Sequence, residues 1–263
     1  MDPVRVGIVG SGNVLNQYLD RASIHPEFEI VAVADLNQEL ATSQAQRYGI
    51  PRVLSTDELI ADDDVELVVN FTPPRMHAGL TLAAIAAGKH VFTEKPFAHT
   101  LELADEIVAA ARAADVKVAC APATFLGGGM QTVRKLVDDG WIGRPVAGFA
   151  SFTCRGYEHW HPNIDPFYAR GAGPMLDIGP YLVTNMLNVF GPVVRVSASA
   201  QKFTETRPRP GHPEGPEIPI EVATHVAGTL DFASGGVVSV MTSWEMWNAN
   251  LPMVEIYGTE GSI

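Results

Sequence analysis

Val4-Arg5-Val6-Gly7-Ile8-Val9 is an apolar run that leads straight into Gly10-Ser11-Gly12-Asn13, and Asp35 closes the next such run, Ile30-Val31-Ala32-Val33-Ala34. Glycines at such a turn let the backbone approach a pyrophosphate at a helix N-terminus, and an acid at this reach takes ribose hydroxyls. Gly10, Gly12, Asn13 and Asp35 are therefore candidate dinucleotide contacts; a glycine turn with no ligand is the plain alternative. Asp35 is followed by Leu36 and Asn37, with no arginine to take a 2′-phosphate, which favours NAD over NADP.

Further groups carry polar chemistry. Thr72-Pro73-Pro74-Arg75-Met76-His77 follows a strand pattern over 66–71, and Glu94-Lys95-Pro96 follows one over 89–93. In an open α/β sheet both would reach the ligand-binding edge, adding Thr72, His77, Glu94 and Lys95 to the cofactor candidates. Gly171-Ala172-Gly173-Pro174-Met175-Leu176-Asp177-Ile178-Gly179-Pro180-Tyr181 opens an apolar helix pattern, and Asp177 and Tyr181 are four apart, so on one helix they share a face. Tyr157-Glu158-His159-Trp160-His161-Pro162-Asn163 has the polar and aromatic make-up of a sugar-binding wall, in which rings stack on C–H groups and His or Asn bind hydroxyls. The H-x-H spacing there has no carboxylate or third histidine close by in sequence, so no metal is expected.

The elements that must position these groups change character near residue 122. Strand patterns at 4–10, 29–34, 66–71, 89–93 and 116–121 alternate with helical ones at 13–22, 37–48, 75–87 and 100–114, the sign of a parallel sheet covered on both faces. A helix over 129–139, a strand over 145–154 and a helix from Pro174 to Phe190 follow, then strands over 193–204, 220–232, 236–247 and 252–258. The fold class predicted is an α/β Rossmann nucleotide-binding domain over 1–122, then an α+β domain over 123–263 with a large, mostly antiparallel sheet. The proline-rich segment 206–216 reads as a long hairpin loop.

Bulk properties narrow the partners. The formal net charge of −12 argues against nucleic acid, which requires a basic face. Two cysteines, Cys120 and Cys154, without C-x-x-C spacing, exclude a disulfide framework and suit a reducing compartment. The N-terminal apolar run is broken by Gly7, Gly10 and Gly12 and lacks a basic leader, so neither a signal peptide nor a membrane span is expected, and the default is a soluble cytoplasmic protein.

Taken together, the glycine turn, the T-P-x-x-x-H stretch, the E-K-P tripeptide and the aspartate of the fourth group resemble the Gfo/Idh/MocA family of nicotinamide-dependent oxidoreductases over essentially the whole chain. The resemblance implies hydride transfer between NAD(H) and a secondary alcohol or ketone of a sugar, polyol or related cyclic substrate. It implies Lys95, Asp177 and Tyr181 as catalytic residues, with Tyr157, His159, Trp160 and His161 joining Lys95 and Asp177 in binding substrate. A homo-oligomer, dimer or tetramer, built through the C-terminal sheet is also implied.

One departure from the family pattern bears on the chemistry and two on the fold. Tyr181 stands where most members have histidine, leaving Tyr181 and Lys95 both open as the proton carrier. Leu15 takes the third position of G-x-G-x-x-G/A, where a small residue lets helix and strand pack closely, so the helix is expected slightly further out. The chain ends at Gly258-Thr259-Glu260-Gly261-Ser262-Ile263, where family members continue through more strands; an incomplete second domain with an open apolar edge at 252–258 is the expectation.

Rival readings remain at this stage: an NAD-dependent glycosidase on the same scaffold, or a nucleotide-binding sensor without catalysis. Residue by residue, Asp177 could complement a helix dipole, Tyr181 could be core, Lys95 a surface lysine and His77 an ordinary helix-start histidine. The first prediction concerns the cofactor. NAD(H) is expected to bind more tightly than NADP(H), and Asp35→Ser to narrow the gap by removing charge repulsion and a ribose contact. Calorimetric titration with both cofactors checks this, and tighter NADP(H) binding by the unmodified protein contradicts it.

Overall fold

Strands rich in Val, Ile and Ala need cover on both faces, and the first part of the chain supplies it by alternating strands with helices. A computed structural model describes residues 2–22, 24–161, 163–209 and 214–263, and the chain divides into two units, Met1–Ala121 and Pro122–Ile263. The first unit contains β1 (Val4–Val9), α1 (Asn13–Ala22), β2 (Phe28–Ala34), α2 (Gln38–Tyr48), β3 (Val53–Leu54), α3 (Thr56–Ala61), β4 (Leu67–Asn70), α4 (His77–Ala86), β5 (His90–Thr93), α5 (Leu101–Ala113) and β6 (Val118–Cys120). Its six strands pair in the order β3-β2-β1-β4-β5-β6, every neighbour parallel. The order reverses between β1 and β4, and in such sheets ligands bind outside the carboxyl ends of the strands at that point.

Local chemistry sets the element ends. The Asn37 side chain accepts from Leu40 N–H at the start of α2, and Gly49 stops that helix in the left-handed region at φ 68°. Thr100 Oγ1 accepts from Leu103 N–H and caps α5. β3 and α3 were not among the predicted elements. A two-residue strand is too short to show a period, whereas α3 carries a legible start signal, Ser55 and Glu58 in a reciprocal capping box. Leu15 is fully buried and joins Val6, Ile8, Leu19, Val33, Ala45, Ile50 and Phe71 in an apolar cluster, so the bulky third position is core.

The second unit contains α6 (Gly128–Asp138), β7 (Pro145–Thr153), α7 (Asp165–Tyr168), α8 (Pro174–Asp177), α9 (Gly179–Phe190), β8 (Val193–Gln201), β9 (Thr206–Arg207), β10 (Ile218–Pro219), β11 (His225–Phe232), β12 (Val237–Ser243) and β13 (Val254–Gly258). Its main sheet runs β13-β7-β12-β11-β8, with β7 and β12 parallel and the other neighbours antiparallel. Leu182, Met186, Val189 and Phe190 of α9 bury one apolar stripe in a cluster with Ala150, Leu230, Val238, Val240 and Ile256 of the strands.

Three expectations need correcting here. The helix predicted from Pro174 to Phe190 is two helices, interrupted at Ile178, because Pro180 has no N–H to continue the ladder to Leu176. Asp177 therefore ends one helix and Tyr181 begins the next, and the i, i+4 face-sharing argument does not apply. The 206–216 segment is not wholly a loop: β9 pairs antiparallel with β10, and the tip at 210–213 lies outside the described residues. The outer side of β13 is not bare. Ile256 and Ile263 exchange both backbone hydrogen bonds at 2.9 Å, and Gly258 N–H donates to Gly261 O at 2.8 Å.

Leu15→Ala is expected to cost about 2–5 kcal/mol, because it empties a fully buried site between α1 and the sheet. A urea unfolding midpoint close to that of the parent protein would contradict this.

Candidate functional site

In the first unit the glycine turn is built by a close approach. Gly10 has φ 104°, and a Cβ there would lie 2.6 Å from the backbone carbon of Phe71. No residue with a side chain fits without moving the strand beside it. Gly12 differs: an added Cβ would meet no protein atom within 4 Å. The protein itself leaves that space open.

Asp35 ties the turn to the end of β2. Its Oδ2 accepts from Ser11 N–H at 2.6 Å and its Oδ1 from Asn37 N–H at 2.8 Å. The buried Gln44 side chain donates to Ser11 O at 3.3 Å from the other side. These residues fit the dinucleotide that the turn suggests. The first turn of α1 carries no acidic residue, Gly12 leaves room for a close approach, and Ser11 Oγ is buried with no hydrogen-bond partner.

Two further loops come to the same edge of this sheet. Asn70, fully buried at the end of β4, accepts from Thr72 N–H at 3.2 Å and Thr72 Oγ1 at 2.6 Å, and its amide donates to His77 O at 3.2 Å. His77 is 1% exposed, with Nδ1 2.8 Å from Pro96 O and Nε2 2.7 Å from Thr72 O. Both ring nitrogens lie against backbone carbonyls, and a neutral imidazole donates to one of the two. His77 thus packs between the two loops and joins them from within. Glu94 accepts from Lys95 N–H at 3.1 Å and from the Tyr18 hydroxyl at 2.7 Å, and the Lys95–Pro96 peptide is cis.

Sequence reasoning missed Tyr18. Its ring packs on Phe71 with centroids 4.6 Å apart, three positions on from buried Leu15, which is the signal that could have found it. Cys120 lies nearby in β6. Burial, then the charge of Glu94, pushes its thiol up to about 12, so it remains a thiol and is no nucleophile.

In the second unit Asp177 Oδ2 accepts from the Tyr157 hydroxyl at 2.9 Å. Burial above all, then the Asp177 carboxylate, pushes that hydroxyl well above the usual phenol range, so Tyr157 stays a donor. The Tyr157 ring is 7% exposed and packs on Trp160, Phe167 and Trp244 with centroids 5.2, 5.2 and 4.9 Å away. It is thus core, with only its hydroxyl in use, and is not the open stacking face expected of a sugar wall. His161 is packed against Phe167 and Trp160, and accepts from Asn163 N–H. Trp160, at 59%, is exposed, as is His159. Among the described residues no three His, Cys, Asp or Glu side chains gather to hold a metal ion, and no helix is long and apolar enough to cross a membrane.

Comparison with known proteins places this geometry. Residues 4–121 match the oxidoreductase family with an NAD-binding Rossmann fold, and residues 130–263 match the GFO/IDH/MocA C-terminal domain. The chain is 29% identical over its full length to levoglucosan dehydrogenase of Pseudarthrobacter phenanthrenivorans, spanning 73% of that protein. It is 30% identical over 93% of its length to D-glucoside 3-dehydrogenase of Escherichia coli, spanning 71% of that protein. Of several other relatives it spans 43% to 62%. A solved structure of levoglucosan dehydrogenase in complex with NADH and L-sorbose superposes with a TM-score of 0.82 at 27% identity, over 98% of this chain and 72% of that one. The chain belongs to the Gfo/Idh/MocA family of oxidoreductases with an NAD-binding Rossmann fold.

Proposed function

We propose that this protein transfers a hydride between NAD(H) and a secondary alcohol or ketone of a sugar, polyol or related cyclic compound. The observation that carries the reading is the tie between Asp35 and Ser11 N–H, at 2.6 Å, which sets a ribose-reading acid against a glycine turn. The sugar class is supported by the relatives named above.

In this reading Gly10, Gly12 and Asn13 take the pyrophosphate, Asp35 the adenosine ribose, and Thr72, Glu94 and Lys95 lie along the cofactor. His77 positions them. NAD, when bound, supplies the hydride acceptor for oxidation and the donor for reduction. Tyr181 or Lys95 takes the alcohol proton during oxidation and returns it during reduction. Asp177, oriented by Tyr157, holds a substrate hydroxyl. Trp160 and His159 border the substrate.

A cytoplasmic homo-oligomer, a dimer or tetramer built through the sheet of the second unit, belongs to the same proposal. Val194 and Val196 on its edge strand β8 are 66% and 64% exposed, and both cysteines are unpaired, as in a reducing compartment. Light scattering in solution reads the assembly.

Proton transfer by a placed group contributes about 10²–10⁴-fold. Lys95→Ala and Tyr181→Phe are therefore expected to lower kcat by up to that factor while leaving NADH affinity within a few-fold. Steady-state NADH formation on the best substrate from a panel of sugars and polyols, with calorimetry for NADH, measures both. Near-normal turnover in both variants contradicts the assignment. Release of free sugar from an aryl glycoside without net NADH would point instead to a glycosidase, and NADH binding with no turnover of any kind to a sensor.

A further inference from the structure

The second unit carries a cleft of about 650 Å³ lined in part by Arg155, Thr206, Trp244, Glu245 and Trp247, and by His159, the one of these residues that the reading above sets beside the substrate. The size suits a small organic ligand, for which pockets span roughly 300–1,000 Å³. Ion pairs lie along its lining. Arg207 donates from Nη1 to Glu158 at 2.8 Å and from Nη2 to Glu245 at 2.9 Å, and the Tyr168 hydroxyl donates to Glu158 at 2.8 Å. Glu158 Oε2 is left buried with no hydrogen-bond partner.

Its rim is aromatic and open. Trp247 is 81% exposed, and the Arg155 guanidinium lies over its ring at 5.2 Å from the centroid. Among the described residues no carboxylate pairs with Arg155. Charges in and around the cleft balance, since Arg207 faces two glutamates and Arg209 is paired with Asp165. Balanced charge, fixed donors beside fixed acceptors, and a solvent-facing indole suit a neutral polyhydroxylated ring better than an ion. Each hydroxyl can donate to a glutamate and accept from an arginine, while C–H groups lie on the indole.

We propose that this cleft binds a saccharide unit, with Trp247 as its stacking platform and Arg155 and Glu245 as hydroxyl partners. Trp244, which lines the cleft, also packs against Tyr157, the residue that hydrogen-bonds Asp177. The cleft thus shares an aromatic wall with the residue proposed to hold the reacting sugar, which favours glycosides or disaccharides over free monosaccharides as ligands. The choice of ligand class rests on the sugar-oxidoreductase reading; the binding itself needs neither NAD nor turnover.

The test uses cellobiose and maltose as probes of the whole protein without NAD, followed by calorimetry and tryptophan fluorescence. At least one should bind saturably. Trp247→Ala should weaken it about tenfold or more and Arg155→Gln several-fold, with unchanged melting temperature because both side chains are exposed. Asp177→Ala should weaken this binding less than Trp247→Ala does. The proposal is overturned if neither disaccharide binds saturably, if Trp247→Ala binds like the parent, or if Asp177→Ala weakens binding more than Trp247→Ala does. Disaccharide binding that follows this pattern in a protein forming no NADH from any sugar would sink the oxidoreductase reading and leave the cleft standing.

Discussion

One imidazole joins the loops on which the nucleotide unit depends. His77 reaches Thr72 O with one nitrogen and Pro96 O with the other, so the loops after β4 and β5 cannot drift apart without breaking a buried contact. Asn70 secures the near side by holding Thr72 and the His77 carbonyl at once. Each buried polar group left without a partner costs about 1–3 kcal/mol, so this small network has few alternatives to its present geometry. Lys95 sits in the chain immediately before Pro96, and the position of its backbone follows from that bracing.

The same kind of arrangement recurs in the second unit with aromatic rings in place of amides. Tyr157, Tyr168 and Trp244 fill a buried cluster, yet each phenol sends its hydroxyl outward to a carboxylate, Tyr157 to Asp177 and Tyr168 to Glu158. The rings supply rigidity through burial, and the hydroxyls transmit it to the two carboxylates. A carboxylate held this way is oriented before any substrate arrives.

The parallel sheet was legible in the sequence because continuous apolar runs alternate with capped helical patterns, the second unit because strands gather after one long helix, and Asp35 because its distance from Gly10 is set by one βαβ unit. Other features lay outside the reach of local patterns. Pro180 after Gly179 does signal a helix break, but the strong apolar period from Pro174 to Phe190 outweighed it. His77 and Tyr157 look like ligand contacts by residue type, and only their burial and partners reveal what they touch. Tyr18 pairs with Glu94 across seventy-six positions, a contact that no spacing rule encodes.

The hydrogen bonds of Asp35 have a consequence for altering this protein. The carboxylate that would read the cofactor also keeps the glycine turn shut through Ser11 and Asn37. The loop is therefore preorganised, and little conformational entropy remains to be lost when a ligand enters. In the proposed reading, selectivity and order fall to the same two oxygens. An engineer who exchanges Asp35 to admit a different nucleotide also loosens the entrance, and must restore the lost closure with some other acceptor before judging the new preference.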